Sequence, residues 1–563
     1  MFSKHSLPYD PAHVPADKRF RANASDLFLG NDISAARAAS LFRDAAQAGT
    51  QHVRDLSRVG AQAGSGRNMH RDILRKMLKR NQWPSLYYGG VRVWNRQSQR
   101  IETQMVPVML PHETLAAIAE HSDINAMSVR AGMSYEALSH LQKAEATMVA
   151  GDPVLGLGLW IDATPCNWDR SESVETFSVS LPGLTGDTAK LRLPFAVMMA
   201  KHCVAEETFD DLLEILVWSL RCFVEGRHPA RRHDNQDWRS SDRKRAAQAG
   251  KSLGIRGVLT EIRGDWKCLK EVFRLPGWQE RASCCWKCSA DHTTRRDCSL
   301  LAPWRTERMG RWDMMIRWHR QGIAPCSIVG APFFEMDIFC LDWLHVMDLG
   351  VSLDFMGNLF VLLLKYKPGR SKKERISNLY KDMVEYYDRC SVESRLDNLT
   401  DKMLQKSNCP PRLRARGAEA RGLIDFAYEQ ATMHLSDDVP IEAAAKHAAV
   451  HLQACYFNLH EATFRHESLA EHSRKFCLLL AALEEHAGQD SKAWRLKPKA
   501  HQMQELCEMS RSNPSKNWTY RDEDFGGSMA ALARVRGGKA GPMVVGRNVL
   551  LKFQAKHPLR ALR

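Results

Sequence analysis

The sequence predicts an α+β (or α/β) protein: a mixed sheet flanked by helices, followed by a long helical stretch. Three observations predict it. First, three strand candidates run in a row from Val154: LGLGLWIDATPCNW, ETFSVSLPGL and LRLPFAVMMAKHCV. Second, TFDDLLEILVWSLRCFVEG follows as an amphipathic helix with Thr208 as a plausible cap and Gly226 as its stop, and IRGVLTEIRGDW is one more strand. Strands in succession, then a helix, then a strand, imply a mixed sheet with helices against it. Third, almost every periodic segment between 277 and 499 is helical, including LDFMGNLFVLLLKY and SRKFCLLLAALEEH.

Taken in order, residues 1–66 read as a flexible basic N-terminal arm, Ala-, Arg- and Ser-rich, ending in GAQAGSGR. Residues 67–150 read as a mainly helical N-terminal domain. HRDILRKMLKR, LPHETLAAIAEH and ALSHLQKAEATM are its helices, and SLYYGGVRVW is a short strand pair. Residues 151–276 hold the first part of the sheet core and 277–499 the helical insertion. Residues 500–563 return to the core and end in a basic tail.

Composition bounds the function. Lys and Arg total 80 against 65 Asp and Glu, a net charge of +15 over 563 residues. A chain this basic meets a polyanion or simply carries a solvated basic surface. DRKRAAQAGK and KPGRSKKER are basic loops of either kind. The longest unbroken apolar runs, Leu359–Leu364 and Leu478–Leu483, fall short of the roughly 18 residues a membrane helix needs, so no membrane is expected. The start, MFSKHSLPYDPAH, lacks the apolar region of a secretory signal. Fifteen cysteines in so long a chain argue for a reducing compartment rather than a disulfide scaffold.

Acids stand where strands end. Asp162 follows GLGLWI and Asp265 follows GVLTEIRG. Carboxylates held at the edge of neighbouring strands can share Mg²⁺, which prefers hard oxygen ligands. Two such ions activate the attacking oxygen and stabilise the leaving one in phosphoryl transfer. Glu523 in YRDEDFGG is the natural third carboxylate, with Asp522 and Asp524 as rivals. Strand-end Asp residues also serve turns, and acids at a helix start also serve as caps.

Cys285 and Cys288 in SCCWKC have the spacing of half a tetrahedral zinc site. His501 is the first choice for the remaining ligands, His345 the second, and Glu505 and Cys507 follow. Buried reduced thiols are the alternative. Asp342 and His345 in LDWLH lie three apart, hence on one helix face. They are a core pair, a brace for the acidic site, or metal ligands.

These motifs in this order resemble the DDE-type cut-and-paste DNA transposases of the CACTA/Mirage/Chapaev-like group, over roughly residues 154–540. The resemblance rests on strand-Asp162, GDW at Asp265, CWKC, LDWLH, and a KPKxH segment shortly before Glu523. It implies an RNase H-like mixed-sheet core interrupted by a large helical insertion. It implies catalysis by Asp162, Asp265 and Glu523 with two Mg²⁺ or Mn²⁺ ions, and a structural Zn²⁺ site pinning the insertion to the core. Partners would be transposon ends and target DNA, bound as a homo-oligomer in the nucleus. The chain departs from the pattern twice. No N-terminal zinc finger is visible, and Glu505 stands where a second His is expected after His501. A transposase-derived DNA-binding or scaffold protein without catalysis fits the same motifs.

Overall fold

The computed structural model describes residues 14–60, 68–167, 169–184, 192–488, 490–534, 541–557 and 559. The first residues of the expected arm, most of its GAQAGSGR end and the extreme basic tail lie outside them.

The chain folds as a mixed α and β structure around a four-stranded sheet. A hairpin comes first: β1 (Tyr87–Asn95) pairs antiparallel with β2 (Arg100–Val108). The sheet then forms from β3 (Val154–Pro165), β4 (Ser173–Ser180), β5 (Arg192–Met199) and β6 (Arg256–Arg263), in spatial order β5-β4-β3-β6. β3, β4 and β5 form an antiparallel meander, while β6 lies parallel to β3. A parallel pair needs a crossover. Within that crossover lies the helix Glu207–Glu225, which buries Leu212, Leu213, Leu216, Leu220 and Phe223. The Phe223 ring sits so near β6 that a Cβ on Gly257 would lie 2.2 Å from it, so this strand position must be glycine.

We number the α-helices of seven residues or more; a π-helical stretch, Leu344–Val351, runs into α8. The N-terminal group is α1 (Ala16–Leu29), α2 (Ala35–Gln47), α3 (Met69–Asn81), α4 (Pro111–Ala119) and α5 (Tyr135–Thr147), with α6 the crossover helix Glu207–Glu225. The helical half comprises α7 (Arg311–Gln321), α8 (Ser352–Leu363), α9 (Lys372–Arg389), α10 (Ile424–His434), α11 (Pro440–Phe457), α12 (His466–Ala487) and α13 (Pro498–Gln504). α14 (Tyr520–Ala533) and α15 (Pro542–Lys556) then return to the sheet. A Cβ on Gly526 would meet Trp160 and Thr164 at 2.7 and 2.8 Å, so α14 lies directly on β3. A Cβ on Gly546 would meet the Val197 carbonyl at 2.2 Å, so α15 is as close to β5.

Two expectations change. Residues 16–57 are not a loose arm. Phe28, Leu29, Ala38, Ala39, Phe42, Val53 and Leu56 are buried in the main core. Small alanines let these helices approach closely, so few large side chains suffice, which is why the segment looks weakly packed as a sequence. The helical run Leu344–Tyr366 is also long and apolar enough to cross a membrane, with mean hydropathy 1.6, but 83% of that window is buried inside the protein. Its polar members Asp348, Ser352 and Asn358 are buried with hydrogen-bond partners, as a core helix requires.

Candidate active site and candidate metal centre

Asp162 and Asp265 come to the same level of the sheet. The parallel register pairs Trp160 with Arg263, and both acids stand two residues further on. β3 continues three residues past Asp162, so this acid is within the strand rather than at its end. Asp265 lies beyond β6 and caps the short helix Trp266–Glu271, its Oδ1 accepting from the Cys268 amide at 2.6 Å. Glu523 sits in the first turn of α14, one turn before Gly526, where that helix touches β3.

Electrostatics tie the three together. Burial, then the charge of Asp265, pushes the Asp162 carboxyl up to about 6. Burial, then Asp162, pushes Glu523 up to about 8. Glu523 Oε1 is buried without a hydrogen-bond partner and lies 3.8 Å from His345 Nε2. Glu175, opposite Ala163 on β4, joins the group: burial, then Asp162, pushes it up to about 7. Sequence reasoning missed Glu175; its position opposite the DATP strand end was the available signal.

Asp342 and His345 brace this group. His345 Nδ1 lies 2.6 Å from Asp342 Oδ2. Burial opposes charge on the ring, but Asp342 outweighs it and pushes His345 up to about 9. Asp342 also accepts from the backbone and hydroxyl of Thr519, both at 2.8 Å. Thr519 immediately precedes α14, so the LDWLH segment fixes the start of the helix that carries Glu523.

The rivals of Glu523 have other work. Asp522 is fully buried between Arg192 Nε at 2.6 Å and an Arg263 nitrogen at 3.4 Å. Asp524 is exposed. The Arg192–Asp522–Arg263 bridge joins β5, α14 and β6, so it locks α14 to the sheet from its second turn-forming residue outward.

The thiol pair finds its partners. Cys285, Cys288, His501 and Glu505 are all buried, with ligand atoms within 4.8 Å of one another. Cys288 Sγ is 3.3 Å from His501 Nε2, and His501 Nε2 is 3.8 Å from Glu505 Oε1. His345 is not among them: its ring faces Asp342 and Glu523, which corrects its expected place as a zinc ligand. Glu505 takes the fourth position and is oriented by Arg308 through hydrogen bonds of 2.9 and 2.8 Å. Trp304 stands edge-on to the His501 ring at 4.6 Å. Burial opposes ionisation of Cys285, but hydrogen bonds from Cys288 and His501 pull its thiol down overall. Two thiols, an imidazole and a carboxylate in this compass could hold a metal ion.

The two groups share a wall. Trp286, between the two cysteines, packs edge-on to Trp266 with centroids 6.2 Å apart. Both line a cavity of about 110 Å³ together with Asp265, Asp342, His345 and Lys499. Lys499 precedes His501 by two residues on α13, and its Nζ donates to the His345 carbonyl. Burial, then the Arg412 charge, pushes Lys499 down to about 8. A metal at Cys285, Cys288, His501 and Glu505 would therefore fix both Trp286 and Lys499 beside the acids.

A scan against protein-family models matches none to this chain, and a search of curated proteins finds none similar to it.

Proposed function

We propose that the chain is a DDE-type, divalent-metal nuclease and strand transferase of DNA, resembling cut-and-paste transposases. The observation that carries the reading is the placement of the acids: β3 and the end of β6 bring Asp162 and Asp265 to one level of the sheet, and α14, with Glu523 in its first turn, packs on β3. The sheet order β5-β4-β3-β6, with a meander and one parallel strand, supports an RNase H-like core.

Each residue has a role in this reading. Asp162, Asp265 and Glu523 would hold two Mg²⁺ or Mn²⁺ ions. The ions supply charge stabilisation and an activated oxygen nucleophile at a phosphodiester. Clustered buried carboxylates attract cations, and a bound cation would reverse the rise at Asp162 and Glu523. His345 and Asp342 orient Glu523, and Lys499 places a cation beside Asp265, where a substrate phosphate oxygen would carry its charge. Cys285, Cys288, His501 and Glu505 would hold Zn²⁺ in a structural role: four protein ligands leave no open position for substrate. DNA ends and target, a homo-oligomer on DNA and a nuclear location belong to the same reading.

The test is nicking of a labelled DNA duplex by the full chain with Mg²⁺. Asp162→Asn, Asp265→Asn and Glu523→Gln should each abolish it. A second reading, a DNA-binding scaffold without catalysis, draws on Asp265 Oδ1 already serving as a helix cap. It predicts duplex binding with no metal-dependent nicking.

A further inference from the structure

The N-terminal helices form a basic groove that the acidic site does not use. Its cavity of about 520 Å³ lies between the segment Gln51–Asp55 and the outer face of α3. Arg54, Lys76, Lys79 and Arg80 line it. Arg54, Lys79 and Arg80 are exposed and Lys76 is half-buried. The acid present, Asp55, is already neutralised by two hydrogen bonds from Arg21, the longer of 2.9 Å. His52 lies 3.3 Å from Asp17. Among the described residues Arg54, Lys76 and Lys79 face the groove without an ion pair of their own, while Arg80 shares the charge of Asp55 with Arg21.

The groove is fixed rather than draped on the surface. Ile73, Leu74 and Met77 bury the opposite face of α3. At its end Asn81 Nδ2 donates to the carbonyls of Gln554 and Ala555 at 2.7 Å each, which ties α3 to α15 and so to β5. Lys76 and Arg80 are one helical turn apart, about 6 Å along the axis. Phosphates on one strand of a duplex advance about 3.4 Å each along its axis, so this pair spans about two phosphate steps.

We propose that this groove binds the phosphodiester backbone of a nucleic-acid duplex. Cations fixed along one groove supply affinity that does not depend on sequence. Gln51 adds a neutral polar side chain at the rim. Among the described residues no Trp, Tyr or Phe lines the groove, so they offer no platform for the stacked bases of a single strand. The inference does not rest on catalysis and survives if the chain cuts nothing.

The experiment measures fluorescence anisotropy of labelled 20-base-pair duplexes with the full chain, without added divalent cation, across a salt series. Arg54→Gln, Lys79→Gln and Arg80→Gln combined should weaken binding at least about tenfold near 0.1 M salt. The slope of log affinity against log salt should flatten by about 0.9 for each phosphate contact removed, equally for two unrelated sequences. The charge-keeping set Arg54→Lys, Lys79→Arg and Arg80→Lys should bind like the parent, which separates lost charge from lost folding. A matched control, Arg370→Gln, Lys372→Gln and Lys373→Gln, should change little. DNA and RNA duplexes distinguish the source of the backbone. Three results overturn the proposal: unchanged affinity and slope in the glutamine set, an equal loss in the control, or tighter binding to single strands or anionic vesicles than to either duplex.

Discussion

At the residue scale, the acids define the chemistry by what they do to each other. Asp162 is pushed up to about 6 and Glu523 to about 8, first by burial and then by like charge. Raised carboxyl pKa values mean that folding favours the protonated forms. Their stabilisation is full below the unfolded values near 4 and is lost as pH rises through the folded ones. His345, pushed up to about 9, runs the same way: its charged form is favoured, and that support is lost as pH rises through 9. Without divalent cation, melting temperature should therefore fall between pH 5 and 9, read by a thermal melt across buffers. Glu523→Gln should flatten the lower part of that fall, and adding Mg²⁺ should raise the melt most at the alkaline end. A melting temperature that rises with pH over this range contradicts the electrostatic account. At the second site, His501→Ala should remove the bound metal, measured by elemental analysis of the purified chain. His345→Ala should leave that metal in place, because His345 lies outside the Cys285, Cys288, His501 and Glu505 cluster.

At the element scale, α14 depends on three fixings: Gly526 against Trp160, Asp522 between two arginines, and Thr519 on Asp342. Gly526→Val should cost about 1–3 kcal/mol by forcing the helix away from β3. Arg192→Met should cost about 3–5 kcal/mol, because it leaves the buried Asp522 with only the longer Arg263 contact. Chemical denaturation measures both. Much of this element-level order was legible in the sequence. Apolar runs marked β3 to β6, an amphipathic run marked α6 (although the helix starts at Glu207, with Thr208 inside it rather than capping it), and the Cys285-x2-Cys288 spacing marked half of the buried Cys/His/Glu group. What was not legible depends on distance in space. Glu505 was legible only as a weak candidate four residues after His501, and Glu175 beside Asp162 only through the pairing of β4 with β3. The burial of α1 and α2 rests on alanine contacts that look polar and loose in a linear reading.

At the scale of the whole molecule, the net charge of +15 is distributed unevenly. The acids gather where β3, β6 and α14 meet, and Arg54, Lys76, Lys79 and Arg80 gather on the N-terminal groove. The buried Cys/His/Glu group stands between the helical half and the acids, joined to them through Trp286 and Lys499. If that group holds a metal, its removal should impair the acidic site as well as stability. With Cys285→Ser, a melt should show lower stability, and any nicking activity should fall without a change in duplex affinity. Single-turnover nicking of a duplex by the full chain in Mg²⁺ separates catalysis from scaffolding. Nicking should need the ion and disappear in Asp162→Asn, Asp265→Asn and Glu523→Gln while duplex binding persists. A folded, duplex-binding chain that never nicks, or whose nicking survives all three substitutions, would contradict the nuclease reading.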